Sequence, residues 1–312
     1  MPKNTTLVVL AFFSIYVIWG STYMLNKVAV GELPPFFLAS IRFTSAGLLI
    51  FIISKAMGKS LAITGKQFIN AFIVGFLFLS FGNGVIVWAL KYVDSGFAAL
   101  EISAQPLVVL FLMRMLQGKP IKLMSIVGVA LGILGIILLV SQQQIIAKEG
   151  TVLGMIMIFA CMLSWAYGSL FVGKADLPKN FFVNTGYQMF TGGITLAIAS
   201  LLFGEKWIAP NQWSASVQWS MVLLIGFGSI VAFTSFNYLL KTVSPDKVAT
   251  STYVNPIIAL FLGWFILDEK ITTQSIIAAA VLLTGVYFIT TTRTTFTLPR
   301  FSGKVKQEKL DK

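Results

Sequence analysis

Two ionisable residues stand inside long apolar runs: Arg42 in Ile41-Arg42-Phe43 and Glu101 in Leu100-Glu101-Ile102. Charges in such runs are costly, and they ordinarily face a partner or a water-filled cavity. With helices starting near residues 34 and 95, Arg42 lies about 12 Å and Glu101 about 9 Å from the starts, at 1.5 Å per residue. Similar depth and opposite charge predict a pair or a shared polar pocket. As a fixed salt bridge the pair would staple two helices together. As a functional pair, Arg42 would attract a carboxylate and Glu101 would receive an amine or a coupling proton. Gln105 follows Glu101 by four residues and shares its helix face, a spacing repeated by Ser251 and Asn255. Pro106 and Pro256 come next; each removes a backbone donor and frees the carbonyl four residues earlier, a helix-kink signal. In a bilayer freed carbonyls are tolerated only beside protein or a water-filled cavity. A local opening in both helices is therefore expected, with a binding site beside it; two kinked helices that only pack are the alternative.

Aromatic and amide residues extend this lining. Trp19, Thr22, Tyr23 and Asn26 recur at helical spacing, and Asn83, Trp165, Tyr187, Gln188, Asn237 and Tyr253 lie in other apolar runs. The expected substrate-binding set is Trp19, Tyr23, Asn26, Arg42, Asn83, Glu101, Gln105, Trp165, Gln188, Asn237, Tyr253 and Asn255. Aromatic walls with a few amides suit a small organic solute better than a bare ion. Trp88 and Trp213 read instead as interface anchors, and Lys27 as a residue whose stem lies along the apolar surface. The chain has no histidine and one cysteine, Cys161, which excludes Ser-His-Asp and Cys-His catalysis and a Cys/His metal site. No phosphate-binding glycine loop is present. Neither a cofactor nor a metal is expected.

These residues need membrane helices to position them. Of 312 residues 57% are apolar and 11% charged, less than half the usual charge of a soluble domain, and the mean hydropathy is +0.86. Ten stretches are long enough to cross a bilayer: 7–29, 34–56, 68–90, 95–117, 121–141, 151–172, 181–203, 217–240, 246–267 and 272–292. The first has no cleavage pattern and reads as a retained span. In alternate loops and the tail, 17 of the 23 Lys and Arg fall on one side and five on the other, with Arg42 inside a span. The positive-inside rule then places both termini in the cytoplasm. The net charge of +12 is thereby explained by topology, and no nucleic-acid partner is expected. The tail from Arg293 to Lys312 is basic and suited to anionic lipid headgroups.

The chain repeats itself. Trp88–Ile121 and Tyr238–Ile271 align without a gap at an offset of 150, and Gln105-Pro106 falls on Asn255-Pro256. Earlier in each half an offset of 146 pairs Trp19 with Trp165 and Gly47 with Gly193. The counterparts of Arg42 and Glu101 are the neutral Gln188 and Ser251. Five spans per half is an odd number, so the second half enters from the opposite side. The expected architecture is all-α and polytopic, with ten transmembrane helices as two inverted-topology five-helix repeats. The first repeat is 1–145, the second 146–292, and the tail 293–312. Many secondary transporters are built this way, with substrate near the midplane.

Ile18-Trp19-Gly20-Ser21-Thr22, Ile41-Arg42-Phe43, the repeated Gln/Asn-Pro and Leu267-Asp268-Glu269-Lys270 together resemble the drug/metabolite transporter superfamily, specifically the bacterial EamA type, over residues 7–292. The resemblance implies a ten-helix inner-membrane carrier, often an exporter of amino acids or other small metabolites. An acid usually closes span four in that family, as Glu269 follows span nine. Lys119 stands there instead, which removes any gating or capping role of that acid from the first half. The expected function is alternating-access transport of amino acids or amphipathic metabolites or drugs, with export favoured and no enzymatic step. Uniport and proton antiport both fit, and a monomer suffices. A passive facilitator and an intramembrane enzyme on lipid-linked substrates are the alternatives.

Overall fold

The computed structural model describes residues 5–118, 123–141, 149–243, 248 and 251–291, and all regular structure among them is helical. Ten helical segments follow in order: α1 (Thr5–Val30), α2 (Pro35–Ala56), α3 (Gly65–Ala89), α4 (Ser95–Leu116), α5 (Leu123–Val140), α6 (Thr151–Val172), α7 (Phe181–Leu202), α8 (Ala215–Leu239), α9 (Ser251–Leu267) and α10 (Thr273–Thr291). Six of them, α1 to α4, α6 and α8, are long and apolar enough to cross a membrane. Shorter apolar helices lie within α5, α9 and α10. Helix α7 is outside both groups and carries Asn184, Thr185, Gln188 and Thr191, all buried. Leu202, Phe265, Trp219 and Ile52 are among many large apolar side chains left exposed, as lipid-facing surfaces require.

Local chemistry accounts for the helix starts. Thr64 and Gln67 form a reciprocal capping box at α3. Asn180 accepts from the backbone of Phe182 and Val183 at α7, and the Ser214 hydroxyl caps α8. Pro35 opens α2, where a missing N–H costs nothing.

Glycines set the closest helix contacts. A Cβ on Gly47 would lie 2.6 Å from the Phe190 backbone nitrogen, and one on Gly193 would lie 2.4 Å from that of Thr44, so α2 and α7 touch nearly backbone to backbone. At α5 and α10 a Cβ on Gly135 would lie 2.7 Å from the Leu282 Cβ, and one on Gly285 would lie 2.7 Å from the Gly132 nitrogen. Small residues let membrane helices gain dispersion energy where lipid supplies no hydrophobic drive between them.

Three helices contain π-helical turns: Ser14–Ile18 in α1, Phe76–Phe81 in α3 and Leu224–Val231 in α8. Such turns concentrate at functional sites. The two proline motifs behave differently. Helix α4 breaks at Ser103–Ala104, and Pro106 opens the segment Gln105–Gln117. Helix α9 continues through Pro256, so the expected opening occurs in α4 and not in α9. A break needs more than a missing donor, and α9 keeps its remaining ladder. The tail from 293, Lys119 and the Tyr253 side chain lie outside the described residues.

Candidate functional site

Arg42 is 3% exposed. Its Nε donates to Ser229 Oγ at 2.9 Å and its Nη1 to Asn26 Oδ1 at 3.4 Å, while the guanidinium carbon lies 4.7 Å from the Phe43 ring centre. Ser229 sits in the π turn of α8 beside Gly228, where a Cβ would come within 3.3 Å of Arg42 Nη2 and 2.8 Å of Thr22 Cγ2. The Gly228 carbonyl accepts from Trp19 Nε1 at 3.2 Å. Helices α1, α2 and α8 thus converge on one guanidinium.

Glu101 is 5% exposed, and its Oε2 has no hydrogen-bond partner. No ion pair joins Arg42 to Glu101 among the described residues, so the expected staple between α2 and α4 is not made. Depth along a helix does not fix the direction a side chain takes around it. Cys161 of α6 donates its thiol to the Phe81 carbonyl at 3.5 Å.

Aromatic rings occupy the space between α1, α3, α6 and α8. Trp19 meets Trp165 edge to face at 6.4 Å and packs against Phe233 and Phe236 at 6.3 and 5.0 Å, and Trp165 stacks on Phe78 at 4.6 Å. Trp165 shares a face of α6 with Cys161 by its four-residue spacing. The tryptophan pair therefore joins α1 of the first half to α6 of the second.

The amides of the repeated motif are engaged with backbone. Gln105 Nε2 donates to the Met162 carbonyl of α6 at 3.0 Å. Asn255, with its nitrogen turned toward the two acceptors that face it, donates to the Ile15 and Tyr16 carbonyls of α1 at 2.8 and 2.9 Å. Those carbonyls lie in a π turn, where the change to five-residue pairing leaves acceptors short of donors. Gln188 donates to Asn184 at 3.1 Å and keeps a buried, unpartnered Oε1, and Asn83 likewise keeps a buried Oδ1 without a partner. Asn237 donates to Thr185 at 2.7 Å, and Tyr23 is half-buried against the core around Leu90 and Leu100. Trp88 packs on Phe36 and Trp213 on Phe37, and Trp213 belongs to the buried core. Lys27 is tied down, donating to the Leu90 and Val93 carbonyls at 2.6 Å each; a cation suits the C-terminal end of α3.

Three carboxylates at one end of the bundle act beyond the expected set. Glu205, after α7, accepts from the backbone N–H groups of Phe36 and Phe37 at 3.1 and 2.7 Å. Glu269, after α9, accepts from Ser95 and Gly96 at 2.7 and 3.1 Å. Glu32, after α1, accepts from the Ser214 backbone at 3.1 Å and from its hydroxyl. Each meets the N-terminus of a distant helix, where orphan N–H groups and the helix dipole favour an anion. Hydrogen bonds from Ser214 hold the Glu32 carboxyl below the usual carboxylate range. At the other end Asp176 accepts from Gln67 and Asn70, a weaker amide contact. Isolated loop acids in a chain with only 11 acidic residues were the available signal; Ser229, a hydroxyl within an apolar stretch, gave a fainter one.

The EamA-like transporter family matches the chain twice, over residues 6–141 and 152–291. The uncharacterized inner membrane transporter YedA of Escherichia coli K12 is 34% identical over 281 residues, covering 90% of this chain and 89% of that protein. A second E. coli K12 protein, named "Probable amino-acid metabolite efflux pump", is 23% identical over 88% of this chain and 91% of its own length. A solved crystal structure superimposes with a TM-score of 0.65 at 19% identity, covering 92% of this chain and 96% of that one, which shows the shared fold. Twice-matched along nearly its whole length, and built of apolar helices, the chain is a multi-pass membrane protein that belongs to the EamA-like transporter family, within the drug/metabolite transporter superfamily.

Proposed function

We propose that this protein is a secondary transporter of small organic metabolites, amino acids or amphipathic compounds among them, working by alternating access in the inner membrane with both termini in the cytoplasm. The observation that carries the reading is a set of contacts that come in reciprocal pairs. Gln105 bonds Met162, and Asn255, its repeat partner, bonds Tyr16, which stands 146 residues before Met162. Gly47 abuts Phe190 while Gly193 abuts Thr44, and Gly135 abuts Leu282 while Gly285 abuts Gly132, at the same offsets of 146 and 150. Each half therefore grips the other through equivalent residues, as two five-helix repeats of opposite topology would do. The π turns of α3 and α8 begin 148 residues apart and agree with this.

Trp19 and Trp165, touching at the join of the halves, are the centre of the substrate site in this reading, with Arg42 and Glu101 at its two ends. Glu101 is the candidate for a coupled proton. The name of the efflux-pump relative favours export of amino-acid-like solutes. The test is counterflow in proteoliposomes loaded with amino acids, sugars or cationic drugs, with and without a pH gradient. Saturable uptake stimulated by the same solute inside supports a carrier, and flux that never saturates supports a facilitator. Gradient dependence lost in Glu101→Gln assigns the proton to Glu101; transport by that variant unchanged at every pH removes the coupling role.

A further inference from the structure

We propose that Arg42, held by Asn26 and Ser229 and approached by Gly228, is a receptor for the carboxylate of the transported solute, so that the solutes are organic anions or zwitterions rather than cations. The inference rests on the carrier reading and names the substrate class of that same site. A guanidinium 3% exposed in a membrane helix calls for a counter-charge, because a buried unpaired ion is strongly disfavoured. Among the described residues none is supplied: the hydrogen-bond partners of Arg42 are a hydroxyl and an amide oxygen, and Glu101 does not pair with it. Those two partners engage Nε and Nη1, and Nη2 makes no hydrogen bond among the described residues, which leaves three of the five donors for a ligand. A planar carboxylate matches that fork in two parallel bonds.

On the Nη2 side stands Gly228, where even one methyl group would lie 3.3 Å from the nitrogen. Ser229 and Gly228 both belong to the π turn of α8, and Asn26 and Thr22 to α1, so a solute bound to Arg42 touches two repeats at once. Trp19 ties its indole N–H to the Gly228 carbonyl and turns its ring toward Trp165, Phe233 and Phe236, an apolar wall beside the charged end. A carboxylate joined to an apolar or aromatic body fits both.

The test is ligand-induced thermal stabilisation of the purified full-length protein in detergent. The ligands are phenylacetate, L-phenylalanine, butyrate and glutamate, with phenylacetamide and L-phenylalaninamide as matched neutral or cationic forms, and inorganic phosphate. Stabilisation by at least one carboxylate and not by its amide is expected. Arg42→Gln should weaken it about 10- to 100-fold in apparent affinity, the worth of a charge-assisted bidentate pair. Gly228→Ala keeps the charge but sets a methyl 3.3 Å from Arg42 Nη2 and 2.8 Å from Thr22 Cγ2, so it should weaken carboxylate binding and also lower the unliganded melting temperature. Equal response to the amides, response retained in Arg42→Gln, response to phosphate alone, or no response to any carboxylate would each overturn the proposal. Saturable counterflow of cations unaffected by Arg42→Gln would also overturn it while leaving the carrier reading intact. Carboxylate binding lost in Arg42→Gln without saturable flux of any solute would instead overturn the carrier reading.

Discussion

Replacing Asn255 by leucine is expected to cost twice what the same replacement costs at Gln105. Leucine keeps most of either side chain's bulk and deletes its amide, so the cavity term is small. Asn255→Leu removes two hydrogen bonds, to Ile15 and Tyr16, and Gln105→Leu removes one, to Met162. Hydrogen bonds between membrane helices are worth about 0.6 kcal/mol on average and about 1.7 at most, so the expected losses are about 1.2–3.4 kcal/mol and about 0.6–1.7 kcal/mol. The acceptors sharpen the difference. Met162 lies in an uninterrupted α-helix whose ladder already employs its carbonyl, whereas Ile15 and Tyr16 lie in the π turn. With no partner in common the two changes should add in the double variant to within about 0.5 kcal/mol. Reversible SDS unfolding in mixed micelles reads the free energies. A Gln105→Leu loss equal to or larger than that of Asn255→Leu, or no loss from either, would refute the reasoning.

Gly193→Ala and Gly47→Ala should destabilise the protein by similar amounts, about 1–3 kcal/mol each, because each pushes a methyl into the facing backbone; Gly226→Ala, with nothing within 4 Å of its Cβ, is the control and should be neutral by the same assay. Glu205→Ala and Glu269→Ala each strip two helix-end donors of their acceptor and should cost about 0.5–2 kcal/mol, again by SDS unfolding. Because the Glu32 carboxyl is held below its usual range, its contribution is present above the unfolded-state pKa and disappears as pH falls through the folded-state value. Melting curves from neutral to acid pH should show that loss in the wild type and its absence in Glu32→Gln; identical acid-side profiles would contradict it.

Much of the architecture was legible in the sequence because span length and hydropathy follow directly from bilayer thickness. The stretches 34–56 and 151–172 became Pro35–Ala56 and Thr151–Val172. The π turns were not legible: one extra residue in a turn leaves composition and mean hydropathy unchanged. Depth correctly marked Arg42 and Glu101 as buried, yet rotation around each helix decides the partner, and Arg42 faces Ser229 and Asn26 instead of Glu101. Chemistry at Gln105 and Asn255 was readable from the repeat, whereas the carbonyls they reach depend on which helix of the other half lies opposite. Glu205 carried no more than the signal of a loop acid, since its partners are two backbone N–H groups left free in the first turn of α2.

Rocking of the two halves is tested most directly by paired distances at both ends of the bundle. Spin labels at positions 91 and 206 report the end where Glu205 and Glu269 clamp α2 and α4, and labels at 59 and 174 report the other end, all four native lysines being exposed. Cys161 is first replaced by serine. With Glu205→Gln and Glu269→Gln releasing the clamps, alternating access predicts that the 91–206 distance lengthens while the 59–174 distance shortens. An unchanged 59–174 distance, or lengthening of both, would contradict it.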